Sequence, residues 1–142
     1  MLFGKRERVI RNILIVEDEP LVAFSNEHLL GEAGYTVVAT VDNLADALRM
    51  IGSHAIDLVL SDVRLRGEGD GTDVARAAAA RRIPVLFVSG YCPEDARCLA
   101  IGCLSKPYTD RMLKAALDAL DAKLAGRKVK TMPAGLSLYE KD

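Results

Sequence analysis

The sequence predicts a doubly wound α/β domain on a five-stranded parallel sheet. Three observations carry this. Five short apolar runs alternate along the chain with segments of helical character. The runs are continuously apolar, as expected of parallel strands buried on both faces. The length, 142 residues, suits one domain with a proper core and is short for two. Repeated βα units imply parallel strands with crossover helices on both sides of the sheet.

"ILIV" (13–16) is the first strand. Pro20 suits the first turn of the following helix, where its missing N–H would be unpaired anyway. That helix runs to about Glu32, and Gly34 stands where a left-handed C-terminal cap would. "YTVVAT" (35–40) is the second strand. Asp42 or Asn43 caps the next helix, with Leu44, Ala47, Leu48 and Ile51 on one face. "IDLVLSD" (56–62) is the third strand, followed by a glycine-rich charged loop (63–72) and the helix former "ARAAAARR" (75–82). "PVLFVS" (84–89) is the fourth strand. A short helix opens at Cys92-Pro93 and ends near Ile101-Gly102, before a brief fifth strand, "CLS" (103–105). Thr109 caps a last helix with a Leu113, Leu117, Leu120, Leu124 stripe, and Gly126 stops it. The organisation expected is an N-terminal extension (1–11), a domain (12–126) and a tail (127–142) that docks through Leu136, Leu138 and Tyr139.

Composition excludes several classes. A net charge of −1 and 50% hydrophobic residues fit neither a disordered chain nor a general nucleic-acid binder. No apolar run approaches membrane-spanning length. The opening "MLFGKRERVIR" has four basic residues and does not read as a signal peptide. Cys92, Cys98 and Cys103 match no common zinc spacing, and are expected as reduced thiols of a cytoplasmic protein.

In such sheets, ligands bind beyond the carboxyl ends of the strands. Glu17 and Asp18 follow strand one, Asp62 ends strand three, Ser89 ends strand four and Lys106 follows strand five. Three acids at one edge repel unless a cation joins them. A hard divalent ion such as Mg²⁺ takes oxygen ligands and completes its shell with phosphate oxygens. Lys106 can pair with an acid and then bind a phosphoryl oxygen, and Ser89 offers a hydroxyl donor. A serine-hydrolase reading fails because His28 and His54 both lie far from this edge. "GEGDGTD" (67–73) lacks the lysine of a Walker-type loop. Carboxylate, metal, lysine and hydroxyl describe an aspartyl-phosphate site.

With these residues the chain resembles a response-regulator receiver domain, over roughly Arg11 to Gly126. The matching pieces are "VEDEP", "DLVLSDVRL", "GDG" (69–71), "FVSG" and "SKP". The resemblance implies a flavodoxin-like (βα)5 fold with strand order 2-1-3-4-5. It implies Asp62 as phosphoacceptor, and Mg²⁺ held by Asp18 and Asp62, by Glu17 through water and by the Arg64 backbone carbonyl. Ser89 becomes the switch hydroxyl and Lys106 the phosphate-binding lysine. Three departures stand out. Arg66 replaces a usual proline, the fourth helix is shortened, and Cys103 replaces the strand-five aromatic. "PVLFVSGY" (84–91) is similar to a single-domain subgroup with a Pro-Phe-x-Phe-Ala-Thr-Gly-Tyr signature. Tyr91 is therefore the expected switch aromatic.

The implied function is Mg²⁺-dependent acceptance of a phosphoryl group from a histidine kinase or histidine phosphotransfer protein. The result switches contacts with a downstream protein partner, or makes the chain a phosphate shuttle or sink. A homodimer is compatible with this, and no enzyme activity beyond turnover at Asp62 is expected. No effector domain is expected in so short a tail. The alternative is a Mg²⁺-dependent phosphohydrolase with an aspartyl-phosphate intermediate. Its usual second acid, two residues after the nucleophile, is here Arg64.

Overall fold

The computed structural model describes residues 8–65 and 67–139, with Asp95 and Ala96 as backbone only. Arg66, where a proline was looked for, lies outside the described residues, as does most of the N-terminal extension. Six strands form one sheet in the order β2-β1-β3-β4-β5-β6. They are β1 (Asn12–Val16), β2 (Thr36–Val41), β3 (Leu58–Asp62), β4 (Val85–Ser89), β5 (Gly102–Ser105) and β6 (Leu136–Leu138). The helices are α1 (Pro20–Glu32), α2 (Leu44–Ser53), α3 (Gly71–Ala80) and α4 (Asp110–Leu124). The short fourth crossover is a 3-10 helix, Glu94–Cys98.

Alternation of side chains sorts the core into two layers. Ile13, Ile15, Leu58, Leu60, Leu86, Val88 and Leu104 pack with Leu30 of α1 and with Leu113, Leu117 and Leu120 of α4. Leu14, Val16, Val59, Val85, Phe87 and Cys103 point to the other face, against Ala47 and Ile51 of α2 and Val74, Ala75 and Ala78 of α3. Every residue of β3 and β4 is buried, which is why both strands are apolar throughout.

Capping explains the helix ends. Pro20 opens α1. Asn43, of the two candidates, caps α2 by accepting from the Asp46 amide at 2.8 Å. Thr109 caps α4 through the Met112 amide at 3.1 Å. The third helix starts earlier than its alanine-rich run suggests. Asp70 and Asp73 form a reciprocal capping box that extends the helix back to Gly71. Hydrogen bonds from Thr72 and from backbone amides hold the Asp70 carboxyl below its usual range, against the opposing effect of burial. Gly71 is required by close approach: a Cβ there would sit 2.1 Å from the Asp62 carbonyl oxygen.

One expectation is extended and one is corrected. The five parallel strands stand in the expected order, and among the described residues a sixth strand joins them. The tail supplies β6, antiparallel to β5 with Gly102 opposite Leu138 and Leu104 opposite Leu136. β5 would otherwise be an open edge with unpaired backbone groups, and the tail satisfies them. Cys92 and Cys103 are not reduced thiols but form a disulfide, with Cα atoms 6.1 Å apart. The chain leaving β4 turns back over its neighbour β5, which brings together two cysteines whose sequence spacing shows nothing. Cys98 is exposed and outside this bond.

Buried Asp121 of α4 joins the N-terminal segment to the residue just past the helix end. Its Oδ1 accepts from the Val9 and Ile10 amides at 2.8 and 2.9 Å, and its Oδ2 from Arg127 at 2.8 Å. Truncating it strands two amides and a guanidinium. Asp121→Ala is therefore expected to lower unfolding stability by about 3 kcal/mol. Chemical denaturation checks this, and a loss no larger than that of an exposed control on α4 refutes it.

Candidate functional site

Strand register assembles the site. β1 and β3 pair from Ile13 opposite Leu58 to Val16 opposite Ser61, so Glu17 and Asp62 emerge side by side. β4 and β5 pair through Ser89 and Ser105, and the Lys106 amide donates to the Ser89 carbonyl at 2.8 Å. The lysine backbone is thereby anchored at the same edge. A one-residue slip in any of these pairings would turn its group to the other face.

Lys106 Nζ lies 3.0 Å from Asp62 Oδ2 and 3.1 Å from Glu17 Oε1. Glu19 Oε1 is 3.7 Å away. The Glu17 and Asp62 side chains are 1% and 10% exposed, while Lys106 is 20% exposed. The ammonium therefore reaches from the rim into a largely dry acidic pair. Glu17 Oε2 also accepts from the Glu19 amide at 3.1 Å. Burial pushes the Glu17 carboxyl up and the Asp62 charge adds to this, while the Glu19 amide and Lys106 oppose it. Burial alone would lower Lys106, but its bonds to Asp62 and Glu17 and their charges hold it above the ordinary lysine value.

Glu17, Asp18 and Asp62 offer carboxylate oxygens that all lie within 4.8 Å of one another. The cluster holds three acids, and Lys106 bridges two of them. Such an all-oxygen set suits a hard divalent cation. The Arg64 amide lies 3.4 Å from Asp62 Oδ1, which puts this residue at the mouth of the cluster. The Ser89 hydroxyl donates to the Tyr91 carbonyl at 2.8 Å and accepts from its amide at 3.2 Å. The Tyr91 ring is 75% exposed. All seven residues singled out in the sequence thus sit at this edge or its rim.

Sequence reasoning did not foresee the second partner of Lys106, nor the bond from Asn26 Nδ2 to Tyr108 Oη at 2.9 Å. That bond ties α1 to the loop after β5. Asn26 is a buried polar residue in a helix face otherwise read as apolar. The mismatch of residue type and helical phase was the available signal.

A sheet of this order, with acids and a lysine converging beyond its carboxyl edge, defines a doubly wound domain with its polar groups gathered where such folds bind ligands. Family comparison makes the class specific: residues 13–118 match the response regulator receiver domain, and the chain belongs to that family. The transcriptional regulatory protein PdtaR of Mycobacterium tuberculosis is 33% identical over 88 residues, covering 61% of this chain and 42% of PdtaR. The chain thus spans less than half the length of that relative. The solution structure of SdrG from Sphingomonas melonis Fr1 is 39% identical with a TM-score of 0.68, covering 80% of this chain and 98% of SdrG. The receiver domain of sensor histidine kinase PA1611 from Pseudomonas aeruginosa PAO1, solved with a magnesium ion in its active-site cleft, is 27% identical with a TM-score of 0.66. It covers 76% of this chain and 94% of that domain.

Removing the ammonium leaves two buried carboxylates facing each other. Lys106→Met is expected to destabilise the EDTA-treated protein at pH 7 by about 3 kcal/mol. Glu17 has a raised folded pKa, so its ionisation opposes folding increasingly as pH rises through that value. The deficit of the variant should shrink as Glu17 is protonated on acidification. Denaturation midpoints against pH check this, and a deficit that grows at low pH contradicts it.

Proposed function

We propose that this chain is a phosphoacceptor switch of two-component signalling, charged at Asp62 by a histidine kinase or histidine phosphotransfer protein. The observation that carries the reading is one ammonium shared by Asp62 and Glu17, with Asp18 as third acid of the same cluster. The donor set is entirely oxygen. Mg²⁺ fits it, held by Asp18, Asp62 and the Arg64 carbonyl, with Glu17 acting through water. The magnesium ion in the PA1611 receiver supports this assignment. When bound, the ion supplies charge neutralisation for the acids and the transferred group.

The chain's own residues then act as follows. An Asp62 carboxylate oxygen attacks phosphorus, and the bond from phosphorus to the donor imidazole breaks with its electron pair going to nitrogen. Lys106 transfers hydrogen bonds from Asp62 and Glu17 to a phosphoryl oxygen. The Ser89 hydroxyl releases the Tyr91 carbonyl and donates to another oxygen. That exchange makes Tyr91 the first residue to register phosphorylation. On this reading its exposed side chain turns inward over the serine, and packed interiors favour discrete arrangements over a continuum. The downstream partner is a protein that recognises the rearranged face, in the cytoplasm where phosphohistidine donors work. Arg64, where a phosphohydrolase places its second acid, supports a switch over a turnover enzyme.

Asp62→Asn should abolish transfer of labelled phosphate from a phosphohistidine donor. Label that still attaches to this variant shows that Asp62 is not the acceptor. With wild type, beryllofluoride and Mg²⁺ should shift the amide signals of Asp18, Asp62, Ser89 and Lys106 together.

Tyr91→Ala should accept phosphate at a near-normal rate but lose phosphorylation-dependent partner binding. If binding survives and only the phosphoryl half-life changes, the ring shields the site from water instead. No change in either makes it an ordinary surface residue.

A further inference from the structure

The Cys92–Cys103 disulfide closes a ring over residues 92–103 and pins the C-terminal end of the Ser89–Cys92 segment. Cys103 lies on β5 directly opposite Phe87 of β4 and is fully buried. Cys92 is half-buried, three residues beyond Ser89. Between them run the Ser89 hydroxyl bonds to the Tyr91 amide and carbonyl. The Lys106 amide holds the Ser89 carbonyl from the other side. Past Cys92, only the five-residue 3-10 helix Glu94–Cys98 connects to β5. The disulfide is a covalent restraint on this segment. It joins that segment to an immobile core position, the one where the receiver resemblance looks for a movable aromatic ring.

We infer that Cys92–Cys103 is a reversible redox site that locks the Ser89–Cys92 segment, so that phosphoryl signalling depends on the thiol–disulfide state. This rests on Asp62 as phosphoacceptor. The oxidised form holds the Ser89 hydroxyl on Tyr91. The reduced form lets the segment shift, so that the hydroxyl can turn to a phosphoryl oxygen. The oxidant is a low-molecular-weight disulfide such as oxidised glutathione. The Cys92 thiolate attacks one of its sulfurs, forming a mixed disulfide and releasing one glutathione thiolate. The Cys103 thiolate then displaces the second glutathione, closing the protein disulfide. Two protein thiols lose two protons and two electrons, and one glutathione disulfide becomes two thiols. Two glutathione thiols reverse the sequence, entering at the more accessible Cys92 sulfur. In a reducing compartment a bond of this kind is transient and suited to sensing.

The test uses the full chain with Cys98→Ser, which keeps the third cysteine out of the exchange. One sample is oxidised with glutathione disulfide, the other reduced with dithiothreitol, and each state is verified by mass after alkylation. Both are titrated with beryllofluoride and Mg²⁺ while the Ser89 and Tyr91 amide signals are followed. The reduced form should bind roughly tenfold tighter, within the range of ordinary coupling between sites, with the larger Tyr91 shift. Cys92→Ser should match the reduced form in either buffer, and Cys103→Ala repeats the test should the first variant fold poorly. Equal affinity in both states overturns the lock and leaves the phosphoacceptor reading standing, as does failure of the disulfide to form under glutathione disulfide. No response in either state overturns both.

Discussion

The site depends on one ammonium serving two buried carboxylates. Lys106 reaches Asp62 and Glu17 at nearly equal distances, so neither acid loses its solvation without a replacement. Buried charges persist only when they are paired and hydrogen-bonded. That requirement constrains the sheet. The three groups follow β1, β3 and β5, and they meet because β1, β3, β4 and β5 lie side by side in fixed register. The apolar runs that bury these strands are thus also what aligns the charges. On the proposed reading the same pairing leaves the lysine exchangeable: the bonds it would give up to a phosphoryl oxygen are hydrogen bonds rather than packing.

Much of this was legible in the sequence, and for definite reasons. β3 and β4 are buried along their whole length, so each had to be a continuous apolar run. Pro20, Asn43, Thr109, Gly34 and Gly126 mark helix ends by local chemistry that needs no tertiary information. Gly34 and Gly126 do adopt positive φ, 94° and 75°. The acids, serine and lysine could be placed because strand ends are where this architecture gathers ligands. Where the reading fell short, the signal lay in the partner rather than in the segment. β6 is three residues long, too short for a period, and it is a strand because β5 offers an unpaired edge. Asp121 reads as one more polar position beside the leucine stripe of α4. Its burial follows from where the N-terminal segment and Arg127 pack. Cys92 and Cys103 are 11 residues apart, and only the turn of the chain over β5 brings them together.

The shortened fourth crossover links these late-appearing features. A parallel sheet needs cover on both faces, yet a five-residue 3-10 helix covers little of β5. Other groups fill in. Cys92, Leu99 and Tyr139 pack at the margin of the α2/α3 layer beside Cys103, and the Arg97 guanidinium lies 5.8 Å over the Tyr139 ring. The Tyr139 amide also donates to the Ile101 carbonyl at 2.9 Å, extending the β6 ladder past the strand. Tail and disulfide thus stand in for the missing turns of helix.

That substitution bears on how a signal would leave the site. A full helix beside β4 and β5 could shift as a rigid body when the serine moves. Here the neighbouring surface is a short loop, a covalent bond and a borrowed strand, so displacement at Ser89 has few rigid elements through which to spread. Gly102 tightens this further, since a Cβ there would meet the Ser137 carbonyl oxygen at 2.5 Å. β5 and β6 are in such close contact that the tail cannot slide without separating from the strand. Motion at the switch must therefore either stay within the Ser89–Cys92 segment, where Tyr91 displays it at the surface, or lift β6 from its edge. The first route breaks the bonds between Ser89 and Tyr91 and, on the redox proposal, needs the Cys92–Cys103 bond open, whereas the second breaks a ladder of backbone bonds and exposes Leu136. On the proposed switch reading, the output surface is Tyr91 and the loop that follows it.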